Sequence, residues 1–136
     1  MTNFLHPADD QMAALATSTH KGPIYMLNLL KFHDQARYKD HHDDAPCSGR
    51  EAYKRYTEAI LPFLETSGGK MEGRWFPKHM VIGPDDKHWH EAFVVTYPSK
   101  EAFLTMAMHP DYIKIARHRT AALEDSRLIL MAGASS

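Results

Sequence analysis

Ile24-Tyr25-Met26-Leu27-Asn28-Leu29-Leu30-Lys31-Phe32 decides the fold of this 136-residue chain. The run follows the breaker Lys21-Gly22-Pro23, is almost continuously apolar, and is too short for a long helix. Such a stretch reads as a strand buried on both faces. Tyr25, Leu27 and Leu29 fall on one side, and Met26, Leu30 and Phe32 on the other. Neither side has the character of a wet surface.

Upstream, Asp9 and Asp10 open a pattern that puts Met12, Leu15 and Ala16 on one face, so residues 8–18 read as a helix with acids at its positive end. Downstream, residues 33–48 lack periodicity and form a long loop. Ser48-Gly49-Arg50-Glu51 has capping-box form, and Ala52, Tyr53, Tyr56, Ala59, Ile60, Phe63 and Leu64 follow at helical spacing until Gly68-Gly69. Pro62 should bend the last turn. Residues 70–83 alternate as a strand, with Met71, Trp75, His79 and Val81 on one side and Pro77 marking an edge or bulge. A turn at 83–87 leads into a hairpin partner over 89–97. Ser99 caps a helix holding Ala102, Phe103 and Met106, and Pro110 restarts it with Tyr112, Ile113, Ala116 and Leu123 inward. Residues 127–131 make a last strand, and 132–136 a frayed tail.

The order of strand, helix, two strands, helix and strand predicts an α+β, ferredoxin-like (split βαβ) antiparallel sheet with its helices on one face. One domain spanning residues 1–136, with its core at about 22–131, accounts for the whole chain.

Composition narrows the partners. Sixteen Lys and Arg against 17 Asp and Glu leave a net charge of −1, without the basic face of a nucleic-acid binder. The 43% apolar content excludes an acidic disordered chain. No apolar run approaches the ~18 residues of a membrane span. Cys47 is the only cysteine, and MTNFLHPADD places acids where a secretory signal has bases, so a cytoplasmic location is expected.

The sheet face away from the helices should be polar if it meets water. Instead, the outer positions of the strand at 24–32, the strand at 89–97 and the last strand are apolar on both sides, a patch larger than soluble monomers tolerate. A second copy packed face to face across a two-fold axis is the expected cover.

Residues 22–32 resemble the opening strand of the domain-of-unknown-function family 1330. The segments at 48–53, 97–103 and 119–128 are similar to its later blocks, in the same order. That family belongs to the dimeric α/β-barrel group, which includes cofactor-poor monooxygenases, haem-handling proteins and small dismutases. The resemblance implies the same fold and dimer, and it supplies no catalytic residue.

A cleft between sheet and helices is the expected ligand site, lined by Asn28, Tyr53, Tyr56, Trp75, His79, His118 and Arg119. Asn28 sits mid-strand among aliphatics, where an amide needs a partner: neighbouring backbone, the partner chain or a bound molecule. Tyr53 and Tyr56 share a helix face, as core rings or with Tyr53 as a proton donor. Trp75 and His79 would close the cleft. Arg119 either pairs with Glu124 or Asp125, or grips an anionic or carbonyl oxygen. His118 is a candidate general base or a solvated helix histidine.

The run Asp40-His41-His42-Asp43-Asp44 carries metal-ligand chemistry but matches no closed zinc spacing, so it reads as an arm or lid and no metal is expected. Gly-rich phosphate loops and a Gly-x-Ser-x-Gly elbow are absent. The functional expectation is a cofactor-free enzyme, monooxygenase- or isomerase-like, acting on a small carbonyl or phenolic compound. The alternative is a non-catalytic binding or assembly module; a haem protein with His79 or His118 as axial ligand is a third reading.

Overall fold

The apolar run at 24–32 forms strand β1 (Ile24–Phe32), whose burial alternates along its whole length, with Ile24, Met26, Asn28, Leu30 and Phe32 turned inward. In the computed structural model, which describes residues 3–39 and 46–134, β1 is an inner strand of a four-stranded antiparallel sheet. The remaining elements are α1 (Asp9–Thr17), α2 (Gly49–Ser67), β2 (Lys70–Trp75), β3 (Glu91–Tyr97), α3 (Lys100–Ala107), α4 (Pro110–Ala122) and β4 (Leu123–Met131). The strand order β2-β3-β1-β4 is that of the ferredoxin-like plan.

Local chemistry sets the boundaries. Ser48 Oγ accepts from the Glu51 amide while Glu51 Oε1 accepts from the Ser48 amide, so both ends of the capping box are closed at the start of α2. At its other end Gly68 adopts φ 76°, a left-handed conformation that costs glycine little, and the Gly69 amide donates back to the Leu64 carbonyl. Ser99 caps α3 through the Ala102 amide, and Pro110 stands in the first turn of α4. The inner sheet face and the helices enclose the core, in which Ile24, Leu30 and Leu123 are fully buried.

Two boundaries differ from expectation. The last strand begins at Leu123, not at residue 127: Ala122 ends α4, its carbonyl accepts from the His33 amide, and the chain turns straight into β4 without a loop. Leu123 is therefore a core strand residue and not the last inward position of a helix. The second strand stops at Trp75, and residues 76–90 form no regular element before β3. Asp40-His41-His42-Asp43-Asp44 lies outside the described residues. Among the described residues no helix is long and apolar enough to cross a membrane.

Candidate functional site

A cavity of about 1260 Å³ opens between the inner sheet face and the helices. Asn28 and Met26 of β1 and Phe93, Val95 and Tyr97 of β3 form its floor. Tyr53, Tyr56 and Ile60, spaced three and four apart on α2, form one wall. Tyr112, Ala116 and Arg119, spaced four and three apart on α4, form the other, with Leu5 and His6 laid across. The lining is apolar and aromatic with a few placed polar groups, the usual make-up of a small-molecule site.

The phenols are linked. Tyr53 and Tyr56 rings lie 5.3 Å apart, and the Tyr56 and Tyr112 hydroxyls meet at 2.8 Å. Burial pushes the Tyr53, Tyr56 and Tyr97 hydroxyls far above the ordinary phenol range, so they are neutral donors at any physiological pH. Asn28 Nδ2 donates to the Met26 carbonyl at 3.1 Å, and no described donor reaches its Oδ1.

Arg119 lines this cavity from the inner stripe of α4, with Arg117 of the same helix and Arg37, Lys39 and Arg127 also in its lining. Arg119 Nη1 donates to the Leu5 carbonyl at 2.6 Å and its Nη2 to Ser126 Oγ at 3.3 Å. The expected carboxylate partners are engaged elsewhere. Glu124 pairs with Lys31 at 2.8 Å, and Asp125 pairs with Arg127 at 2.7 Å and Lys87 at 3.2 Å. Among the described residues no carboxylate forms an ion pair with Arg119, which holds only neutral acceptors. His6 stands in the same wall; partial burial first, then Arg119 and Lys39, lower its pKa, which favours the neutral imidazole.

Asn28, Tyr53, Tyr56 and Arg119 thus converge as expected, and three other expected residues do not. His118 is one residue off the inner stripe of α4; its Nδ1 meets the Tyr38 hydroxyl at 2.7 Å, and Arg55 donates to the same oxygen at 3.3 Å. Trp75 is turned away by a bulge. Met71 pairs with Val95 and Arg74 with Phe93, which leaves two residues, Glu72 and Gly73, opposite one. The extra residue inverts the parity, so Trp75 pairs with Ala92 on the outer face and is 56% exposed. His79 lies exposed beyond the end of β2. Neither His79 nor His118 lines the cavity, so neither is placed to ligate a group held within it.

The helical spacing predicts an inward Tyr112 but does not mark it as a site residue, although it stands two helical turns before Arg119 in the same wall. Leu5 and His6 carry no such signal, because Leu5 reaches Arg119 across 114 positions of chain.

A family model described as Domain of unknown function (DUF1330) matches residues 45–134. The crystal structure of methylated RPA0582 protein is 38% identical, covers 98% of this chain and 96% of its own, and superposes with a TM-score of 0.90. The RPA0582 protein of unknown function from Rhodopseudomonas palustris is 37% identical over 97% of this chain and 98% of its own, with a TM-score of 0.89. More distant structures share the fold alone. SnoaB, a cofactor-independent oxygenase from Streptomyces nogalater, is 12% identical over 85% of this chain and 96% of its own, with a TM-score of 0.54. A dimeric protein of unknown function with a ferredoxin-like fold from Bacteroides fragilis is 14% identical over 82% and 96%, with a TM-score of 0.52. No curated protein matches the chain.

Proposed function

Since the chain belongs to the DUF1330 family, whose description carries no reaction, we propose its function from its own residues. Each subunit of a homodimer binds a small, largely apolar molecule through a carbonyl, carboxylate or phenolic oxygen, in the cavity between sheet and helices. The observation that carries this is Arg119, a guanidinium in an aromatic wall whose described hydrogen-bond partners are all neutral oxygens, the Leu5 carbonyl and the Ser126 and Tyr53 hydroxyls. A guanidinium without a carboxylate in such a wall favours an oxygen-bearing guest.

The residues present support one class of chemistry on that guest, proton transfer without a resident cofactor. Arg119 and the Asn28 amide orient the oxygen, neutral Tyr53 donates a hydrogen bond to it, and neutral His6 takes the place expected of His118 as proton acceptor. The homodimer reading is supported by the outer sheet face, where Tyr25, Leu27, Leu29, Val94 and Ile129 leave an apolar surface. Buried, unpaired Cys47 fits a reducing compartment, which favours the cytoplasm.

A thermal-shift screen with small aromatic acids and quinones, followed by calorimetry, tests the reading. The expected result is a ligand that raises the melting temperature of the wild type and not that of Arg119→Ala, with Asn28→Ala weakened. Equal shifts in all three proteins, or no shift with any compound, would overturn it.

A further inference from the structure

The floor of the cavity changes chemistry from one end to the other. Strand register sets its rungs: Phe93, Asn28 and Leu128 lie side by side, then Val95, Met26 and Leu130, then Tyr97 beside Ile24. Polar groups gather at the first rung and just beyond it. Asn28 stands in that rung, and Arg119 reaches Ser126, which pairs with Leu30 one rung further out. The Tyr53 ring stands over the same end, 6.4 Å from that of Phe93. From Met26 onward the floor is apolar, and so is the wall that faces it, with Ile60 and Leu64 of α2 and Phe103 and Met106 of α3. The Phe103 ring lies 5.3 Å from that of Tyr97, so this wall closes over the last rung.

Charge selects the head of a guest. Arg119 meets only neutral oxygens among the described residues, and a cation drawn into an apolar wall is best balanced by an anion. Glu65 is the only carboxylate in the described lining, and it stands beside Leu64 at the Tyr97 end, away from Arg119. A carboxylate brought by the guest has the flat, two-oxygen form that suits the guanidinium fork. Shape selects the tail. Met12, Met26, Met106, Ile60, Leu64 and Val95 line the apolar stretch. Unbranched, polarizable methionine adapts to a guest without a single rigid outline. Left empty, such a space forfeits the contacts that a packed core gains.

From this gradient we infer that the cavity takes a straight-chain monocarboxylate. Its carboxylate lies on Arg119 and the Asn28 amide, and its chain runs over Met26 and Val95 toward Phe103 and Met106. The length follows from the floor. Between Asn28 and Ile24 the strand rises about 13 Å, the span of roughly ten extended carbons. The inference rests on the oxygen-bearing guest proposed above and narrows it to one class. Free acids and acyl esters share the chain, and only the acid brings the charge.

Calorimetric titration of the full chain with hexanoate, octanoate, decanoate and dodecanoate, each below its micellar concentration, is the test. The expected Kd falls about fourfold per methylene up to decanoate and levels off at dodecanoate. Methyl decanoate on the wild type, and decanoate on Arg119→Ala, should each bind about tenfold or more weakly than decanoate on the wild type. Naphthoate is the rigid control, held by the same guanidinium but more weakly than decanoate. Naphthoate binding tighter than every alkanoate and weakened by Arg119→Ala, or a Kd indifferent to chain length, would overturn the chain and leave the oxygen-bearing guest standing. An ester as tight as the acid would overturn the carboxylate. If neither naphthoate nor any alkanoate binds, the inference and the reading beneath it both fall.

Discussion

Arg119 on α4 holds the carbonyl of Leu5 at 2.6 Å, tying the N-terminal segment over the cavity from the far end of the sequence. The tie is reinforced nearby, where Ser126 Oγ donates to the Phe4 carbonyl at 2.6 Å and the Phe4 amide donates to Asp125 at 2.8 Å. At the other end of the segment, the Lys100 ammonium donates to the carbonyls of Leu15, Ala16 and Ser18 at the C-terminus of α1. α1 itself has no fully buried residue, so these polar ties do much of its docking.

Arg119→Lys should therefore loosen the strap while keeping the charge. An ammonium cannot span the Leu5 carbonyl and Ser126 Oγ as the guanidinium fork does. The expected cost is about 1–2 kcal/mol in urea unfolding, the range for a hydrogen bond to a charged group. Faster hydrogen exchange over residues 3–18 than over β1 should accompany it. Unchanged exchange there would mean that the fork does not hold the strap.

The buried phenols make a prediction at high pH. Tyr53, Tyr56 and Tyr97 have folded pKa values raised above 10, chiefly by burial. Below pH 10 both folded and unfolded states keep the proton, and the stabilisation is complete. Above it the unfolded chain loses protons that the folded chain retains, so stability falls as pH rises toward the folded values. Urea midpoints measured upward from pH 9 should drop from about pH 10, and Tyr53→Phe should make the decline shallower.

How far the sequence reveals this molecule depends on the distance over which each cause acts. The capping box at Ser48 and Glu51, the stop at Gly68 and the alternation of β1 are local, and they are legible. Trp75 is different. Its face depends on one extra residue against β3, and Gly73 is the only local hint of a bulge there. Arg119 reads as inward from its spacing to Ala116, but its partner is not legible: Glu124 and Asp125 are close in sequence, whereas Leu5 is brought in by tertiary structure. His118 differs from its neighbour by a single helical step of about 100°, and that step decides between the cavity and Tyr38.

Asp125 makes the acid-side prediction. Burial opposes its charge, but the Phe4 amide, Arg127, Lys87 and the Ser126 amide together hold its pKa below the ordinary value of 3.8. The stabilisation is present above that value and is lost as pH falls through the lower folded one. Asp125→Asn should cost about 3 kcal/mol near neutrality, the low end for breaking a buried pair, because Lys87 and Arg127 keep some water access. The variant should also show a flatter loss of stability with acid than the wild type. Parallel acid curves for the two proteins would exclude this role.

Gly49→Ala reverses a familiar rule. In a helix interior alanine is better than glycine by about 1 kcal/mol, so a substitution at this first residue of α2 looks favourable from sequence. The structure predicts the opposite. A Cβ at this position would stand 2.7 Å from the Ala122 carbonyl oxygen and 2.9 Å from the His33 amide nitrogen. Both are backbone atoms tied together, since the His33 amide donates to Ala122 and the Gly49 amide donates to His33, so neither can move aside alone. The expected loss is about 1–3 kcal/mol, the range for overpacking. Ser48→Ala, which removes the cap and introduces no clash, should cost about 1 kcal/mol. The two variants differ in mechanism: the cap loss frays the first turn of α2, while the clash separates α2 from the junction of α4 and β4. Exchange of the His33 amide distinguishes them, faster in Gly49→Ala and near wild type in Ser48→Ala.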